Sequence, residues 1–241
     1  MAVKIGHASC DEFSRAAGGQ AGDQTGKEVC IRDWYAGKWN VVLRPKSAEI
    51  ANRMARFCED ICNNPKIGYD QYQRNTLRAA AQMAGWDGTK ITVACETDCS
   101  AFMTVCAEAA GVKVAYAYGN APTTWTMRNA FVGTGAFEAL TDSKYVNSDR
   151  YLRRGDILVR ESGHTAMVLS NGSEAAPYSA AATDSAQKTQ ISNGGKVHIV
   201  EAGDTLWDIS RKYGTSVAEL CIKNGIDSSA FIRVGQRIEI P

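Results

Sequence analysis

The chain has 241 residues, 44% of them hydrophobic and 22% charged, and a formal net charge of +1 at pH 7. This length predicts one domain of medium size and one small domain, with a composition typical of globular proteins. A charge so close to zero indicates neither nucleic acid nor an acidic membrane as a partner, and no apolar run approaches the roughly 18 residues of a membrane-spanning helix.

The first seven residues lack the apolar segment of a secretory signal. We therefore expect synthesis in the cytoplasm, with any action outside the cell following lysis or export without a signal peptide. The eight cysteines are then expected to stay reduced, because disulfides form in oxidising compartments. Cys58 and Cys62 lie one turn apart on a predicted helix, but the chain has few histidines and no Cys-x-x-Cys pair. We therefore expect neither a metal site nor a cofactor.

The N-terminal part of the chain predicts strands around a polar loop. Alternating valine, isoleucine, tryptophan and tyrosine residues favour strands at 3–8, 28–34 and 39–43. The glycine-dense stretch 18–26 must be a loop, which either carries function or is a solvated turn. Further along, we predict helices at 47–63 and 71–84 and a short strand at 91–94.

Cys99 stands directly before a clear helical pattern. Apolar residues follow it at i, i+3, i+4 and i+7 spacing and predict one buried helix face, made of Phe102, Val105, Cys106 and Ala109. Thr97 or Asp98 is placed to cap this helix, and Gly111 to end it. In the first helical turn the pKa of a thiol can fall from near 8.5 to roughly 3.5–7.5, as a nucleophile needs. A packing cysteine in the core is the alternative interpretation.

Two apolar runs later in the chain predict a hairpin, at 157–160 and 164–169, joined by a short turn that contains glycine. His164 begins the second run, where a lone histidine is usually a surface or capping residue. Paired with an upstream cysteine that begins a helix, it can instead be a general base. Between Gly111 and this hairpin we predict a strand at 112–118, a short helix at 123–131 and connecting segments at 136–154.

The composition changes abruptly at 173–195, where alanine, serine, threonine, glutamine and asparagine dominate. Such a stretch predicts a flexible linker and therefore a domain boundary. The remaining residues, 196–241, predict a compact unit with the order strand, helix, helix, strand.

This C-terminal unit closely resembles a LysM domain. The resemblance is carried by residues 203–210, 213–216, 224–226 and 235–238, together with Leu220 and Pro241. LysM domains bind N-acetylglucosamine in peptidoglycan or chitin, in a shallow groove between two loops. The resemblance therefore implies that the glycan-binding residues are Gly203, Asp204, Thr205, Leu206, Asn224, Gly225 and Ile226.

The larger unit resembles the NlpC/P60 superfamily of papain-like cysteine peptidases. The matching sequences are Asp-Cys-Ser-Ala-Phe at 98–102, Gly-Asp-Ile-Leu at 155–158 and Gly-His-Thr-Ala-Met-Val at 163–168. The resemblance implies that Cys99 is the nucleophile and His164 the general base. It also implies that Tyr69 and Asp98 hold the free amine of a peptide stem, with helix capping as the alternative role of Asp98.

The third polar residue of such a site has no assigned position in this chain. In the family it usually lies on the strand after the histidine strand, but the predicted linker begins there. Asn171 is the nearest downstream candidate; alternatively, the N-terminal segment folds back beside the histidine strand and offers His7, Asp11 or Asp23. We favour the N-terminal segment, which over 6–29 also resembles the N-terminal part of phage and prophage wall hydrolases of Gram-positive hosts. Gln24 in this segment is a candidate substrate-binding residue.

These observations together predict an α+β fold. An NlpC/P60-like, papain-like domain at 1–172, with the cysteine helix packed on an antiparallel sheet, is joined to a βααβ LysM domain at 196–241. The predicted function is an endolysin-like bacterial wall hydrolase that cleaves an amide bond in the peptidoglycan stem through a thioacyl intermediate. The alternatives are an N-acetylmuramoyl-L-alanine amidase and a non-catalytic wall-binding or tail-associated protein. Peptidoglycan is the expected partner in each case.

Overall fold

The computed structural model describes residues 2–176, 178, 196–201, 204, 206–226 and 232–241. The chain divides into two compact units, Met1–Ala176 (the first unit) and Pro177–Pro241 (the second unit). Within the described ranges, no helix has the length and apolar character needed to cross a membrane. None of the eight cysteines, all of which are among the described residues, forms a disulfide bond.

An antiparallel sheet forms the centre of the first unit. Its strands are β1 (Lys4–Ala8), β2 (Val29–Asp33), β3 (Val41–Pro45), β6 (Phe137–Leu140), β7 (Ile157–Arg160) and β8 (His164–Val168). They lie in the order β2-β1-β8-β7-β3-β6, and each neighbouring pair is antiparallel. The N-terminal strand therefore folds back beside the histidine strand, which is the alternative that we favoured from the sequence.

Helices and a small second sheet complete this unit. The helices are α1 (Ala48–Cys62), α2 (Thr76–Met83), α3 (Cys99–Ala109), α4 (Met127–Gly133) and α5 (Ser143–Val146), with a 3-10 turn at Gly88–Lys90. The strands β4 (Ile67–Tyr69) and β5 (Cys95–Thr97) pair in parallel. Because β5 ends one residue before Asp98, it leads the chain directly into α3.

Both faces of the large sheet are buried. Helices α1 and α3 cover one face, where the packed side chains include Phe57, Ile61, Phe102, Val159 and Met167. The other face packs beneath Trp39 and Leu152, together with Val3 just before β1, and its strand residues are Ile5, Val42, Leu158, Ala166 and Val168. Successive side chains of β7 and β8 therefore enter opposite cores, which explains why both strands are continuous apolar runs in the sequence.

A buried ion pair connects the β7–β8 hairpin to β3. Arg44 donates from Nε to Oδ1 of Asp156 over 2.8 Å and from Nη2 to Oδ2 over 2.6 Å. Arg44 also donates to the carbonyl oxygen of Tyr151. Gly155 precedes the aspartate at a φ of +89°, where an added Cβ would lie 2.5 Å from Cα of Ala51. Gly155 thus allows close packing against α1, and Asp156 forms the buried ion pair with Arg44.

Some local predictions were wrong. The segment 112–118 is not a strand: Val112 and Val114 pack into the core instead, and Ala117 forms an isolated bridge with Asn120. Conversely, part of the predicted connecting segment at 136–154 is the edge strand β6, which pairs with β3. The apolar residues at 112–118 predicted a strand, but the same residue types also pack into a core without forming a strand.

The first unit also extends beyond the boundary expected at residue 172. The backbone N–H of Gly172 donates to the carbonyl of Leu152, and that of Glu174 to the carbonyl of Arg150. The expected linker start at residue 173 therefore lies inside the first unit. Most of the linker predicted at 173–195 lies outside the described residues.

The second unit has the predicted strand, helix, helix, strand order. Its elements are β9 (Val197–Ile199), α6 (Leu206–Tyr213), α7 (Val217–Asn224) and β10 (Arg237–Glu239). The strands β9 and β10 pair antiparallel over a core that includes Val200, Ile209, Leu220 and Ile238. Ser216 and Glu219 form a capping box at the start of α7, and Gly225 ends that helix at a φ of +63°.

Arg44→Met leaves the buried carboxylate of Asp156 without its cation. We expect the free energy of unfolding of the first unit to fall by about 3–5 kcal/mol, as measured by urea unfolding. The double variant Arg44→Met/Asp156→Leu removes the unpaired charge as well, and should recover much of this loss. A double variant less stable than the single variant would contradict this account.

Candidate active site

Cys99 is the first residue of α3 and is buried, with 6% of its surface exposed. Asp98 is the N-cap: its backbone is extended and its Oδ1 accepts a hydrogen bond from the N–H of Ala101 over 2.7 Å. Gly111 follows the end of the helix at a φ of +87°. The predicted helix is therefore confirmed, with Asp98 rather than Thr97 as its cap.

The carboxylate of Asp98 also forms a buried ion pair with Arg74. Arg74 donates from Nε to Oδ2 over 2.6 Å and from Nη2 to Oδ1 over 3.1 Å. It donates further to Oγ of Ser100 and to the carbonyls of Ala121 and Pro122. Both oxygens of Asp98 are thus occupied by protein donors, which favours its capping role over the amine binding that the family resemblance implied. No pattern in the sequence points to Arg74, because its role depends on tertiary contacts.

The surroundings of Cys99 keep its thiol protonated at neutral pH. Burial is the largest effect and, with the charge of Asp98, raises the pKa of this thiol to about 12. The backbone N–H groups of Thr165 and Ser100 donate towards Sγ and lower the pKa, as does Arg74, but by less. The expected fall in pKa was therefore wrong, since loss of hydration outweighs the donors at the helix terminus.

His164 on β8 contacts a second imidazole, that of His7 on β1. Nε2 of His164 and Nδ1 of His7 are 3.1 Å apart, and the two rings meet edge to face. The strand register accounts for this contact: Gly6 lies opposite Met167, so His7 lies opposite Ala166 and diagonal to His164 on the same face. Of the candidates for a third residue, the structure brings His7 to His164.

Both imidazoles are neutral at pH 7. Burial, with the nearby charges of Arg160 and Arg32, lowers the pKa of His164 to about 4. Burial, His164 and Arg32 lower the pKa of His7 to about 3. Each neutral ring carries a single N–H, so one ring donates and the other accepts across the 3.1 Å contact. Nδ1 of His164 is the ring nitrogen left for another partner.

Helix α3 packs against β8, the strand that His164 begins. Thr165, the residue that follows the histidine, has its backbone N–H close enough to Cys99 to lower the pKa of the thiol. In the described part of the chain no hydrogen bond joins the thiol to the His164 ring itself. Such contacts often form only when a substrate is bound.

The other candidate polar residues stabilise their own loops. Asn171 accepts from the backbone N–H of Arg154 over 2.8 Å. Asp23 accepts from the N–H groups of the turn that follows it, and the side-chain amide of Gln24 donates to carbonyls within the same loop. Asp11 pairs with the nearby Arg15. The structure does not bring Asn171, Asp11 or Asp23 to the histidine pair.

Tyr69 is buried at the end of β4, and its hydroxyl accepts a hydrogen bond from Nε2 of Gln71 over 3.1 Å. Burial raises the pKa of this hydroxyl, and the nearby Cys99 adds to the effect. Tyr69 thus lies close enough to Cys99 for their charges to interact, whereas its expected partner Asp98 is bound to Arg74.

In the second unit, the candidate glycan-binding side chains have partners within the unit. Oδ2 of Asp204 accepts from Nε2 of His198 over 2.6 Å, and Asn224 exchanges hydrogen bonds with the backbone of Glu239. Leu206 and Ile226 pack in or against the core, and Gly225 ends α7. Gly203 and Thr205 lie outside the described residues.

Two protein families match the chain. Residues 5–175 match the endolysin-like domain family, and residues 198–241 match the LysM domain family. The chain is also 50% identical over 46 residues to the uncharacterized lipoprotein YgeR of Escherichia coli (strain K12), a match that covers 19% of this chain and 18% of that protein. No solved structure matches the chain significantly.

The raised pKa of Cys99 predicts slow alkylation. Only the thiolate reacts with iodoacetamide, so labelling at pH 7 should be far slower than for an ordinary thiol and should rise about tenfold per pH unit. Residue-resolved mass spectrometry measures the rate, with the urea-unfolded chain as the matched control. Fast labelling that is independent of pH near neutrality would show a thiolate already present and contradict this account.

Proposed function

The chain belongs to the endolysin-like domain family, and we propose that it is a bacterial cell-wall hydrolase that cleaves an amide bond in the peptidoglycan stem peptide. The proposal is carried by one arrangement: Cys99 begins α3, α3 packs against the histidine strand β8, and His164 is held by His7. A nucleophile beside a base that a third group orients is what nucleophilic acyl transfer requires. In this proposal the first unit is a papain-like domain of the NlpC/P60 type.

The reaction begins with a neutral thiol. As Sγ of Cys99 attacks the carbonyl carbon of the scissile amide, its proton passes to Nδ1 of His164, the nitrogen that His7 does not engage. Because the thiol pKa is raised and the histidine pKa lowered, the proton moves during the attack rather than before it. His164 is neutral above about pH 4 and is therefore available as a base at neutral pH.

The negative charge of the tetrahedral intermediate develops beside the N-terminus of α3. The backbone N–H of Cys99 belongs to the first helical turn, whose donors have no carbonyl partner within the helix, and it stabilises the oxyanion. His164 then gives its proton to the leaving amine as the C–N bond breaks, which leaves a thioacyl enzyme. A water molecule, deprotonated by His164, hydrolyses the thioester, and the proton returns to Cys99.

His7 acts on His164 and not on the substrate. Its hydrogen bond to Nε2 holds the ring of His164 in one orientation, which is the role of the third residue in catalytic triads. His7 is 3% exposed, so the contact is shielded from water. All three residues that the proposed mechanism needs are present, which supports a catalytic protein over a decayed, non-catalytic hydrolase fold.

The LysM domain is proposed to bind N-acetylglucosamine-containing glycan and to hold the enzyme on the wall. The loops at 203–206 and 224–226 form the groove in this proposal. Since the side chains of Asp204 and Asn224 are used to hold these loops, backbone groups and apolar contacts bind the sugar. Covalent connection of the two units then raises the effective concentration of the hydrolase at an insoluble polymer. In this proposal the enzyme acts at the bacterial cell wall.

Cys99→Ala should abolish release of soluble fragments from purified peptidoglycan, because no other group in this arrangement can form the thioacyl intermediate. Cys106→Ala is the matched control, since it removes another buried thiol of the same helix. Mass spectrometry of the digest identifies the bond: fragments cut within the stem indicate an endopeptidase, and free intact stems indicate an amidase. If wild type releases nothing that Cys99→Ala does not, the protein is not a cysteine hydrolase of peptidoglycan.

Ending the chain after Ala176 should greatly reduce co-sedimentation with insoluble peptidoglycan and leave activity on soluble stem fragments unchanged. This end point keeps the hydrogen bonds of Gly172 and Glu174 within the first unit. Equal sedimentation of the truncated and full-length chains would refute the targeting role of the LysM domain.

A further inference from the structure

Cys30 on β2 contacts the edge of the His7 ring that faces away from His164. The β1–β2 register places His7 directly opposite Cys30, and Sγ of Cys30 lies 3.5 Å from Nε2 of His7. Cys30, His7 and His164 therefore form a row across the three adjacent strands β2, β1 and β8. The row begins with the sulfur atom of Cys30 and continues with the two imidazole rings.

The hydrogen positions along this row are coupled. Because each neutral imidazole carries one N–H, His164 can take a proton at Nδ1 only if its own hydrogen is on Nε2. That hydrogen is then donated to Nδ1 of His7, so the hydrogen of His7 must be on Nε2 and point at Cys30. If Cys30 instead donated its S–H to Nε2 of His7, the whole row would reverse, and Nδ1 of His164 would carry a hydrogen.

The base that the proposed function requires decides the direction. His164 can take the proton of Cys99 only in the first arrangement, in which the N–H of His7 points at Cys30. Sγ of Cys30 has the ring of His7 as its hydrogen-bond partner, and in the described ranges no backbone amide donates to it. This sulfur is therefore able to accept the N–H of His7.

We propose that Cys30 is a positioning residue: its sulfur accepts the Nε2–H of His7 and thereby holds His164 in the tautomer whose Nδ1 is free to take a proton from Cys99. The direction of the hydrogen bonds rests on the proposed function, whereas the contact between Cys30 and His7 does not. An imidazole in the wrong tautomer cannot act as the base.

Imidazole tautomers can be measured directly in the full-length protein by long-range ¹H–¹⁵N correlation spectra. With three histidines in the chain, assignment needs few variants. We expect the hydrogen on Nε2 in both His7 and His164 of the wild type. In Cys30→Val, whose side chain is of similar size but has no hydrogen-bond acceptor, we expect the Nδ1–H form of His164 to become populated. Wild-type His164 with its hydrogen on Nδ1, or unchanged tautomers in Cys30→Val, would overturn the proposal.

Activity on peptidoglycan fragments provides a second readout. We expect kcat of Cys30→Val to fall by at least about tenfold with little change in KM, because the wrong tautomer removes the base without altering the substrate contacts. Cys30→Asp supplies an obligate acceptor and should restore both the Nε2–H tautomers and kcat. Cys10→Val, at another partly buried thiol, should change neither. If the wild type has the expected tautomers but does not cut peptidoglycan, the proposed function is refuted and the role of Cys30 in the row stands.

Discussion

The candidate site depends first on the carboxylate of Asp98. It caps the helix that begins with Cys99 and pairs with Arg74, which in turn holds the carbonyls of Ala121 and Pro122. A buried charge is tolerated only when it is fully paired, so this network has little freedom to rearrange. The thiol is therefore positioned by an ion pair that joins three separate segments of the chain.

Burial then determines the protonation of the groups that follow. It raises the pKa of the Cys99 thiol and lowers the pKa of both histidines, so the resting site carries no net charge at these groups. In a thiolate–imidazolium pair, attraction between the charges fixes which atom holds the proton. In a row of neutral groups, weak hydrogen bonds determine which atom holds the proton. A hydrogen-bond partner remote from the nucleophile, such as Cys30, can therefore determine which nitrogen of His164 is free to act as the base.

Those parts of the site that depend on local patterns could be predicted from the sequence. The apolar spacing after Cys99 and its flanking cap and glycine identified α3, and two apolar runs identified the hairpin that carries His164. No local sequence pattern predicts the order of the strands in a sheet, so from the sequence His7 is one of several candidates. The pairing of β1 with β8 places it beside His164. Arg74 and the direction of the Cys99 pKa shift depend on tertiary contacts and burial, which residue spacing does not encode.

The pairing of the first strand with the last strand of the sheet also affects how the protein is made. His7 and His164 are 157 residues apart in sequence, so the ribosome must synthesise nearly the whole first unit before their strands can meet. Contacts of such large sequence separation form late, because the entropy of closing a long loop must be overcome first. The contact between His7 and His164 in the candidate site can therefore form only after nearly all of the first unit has been translated.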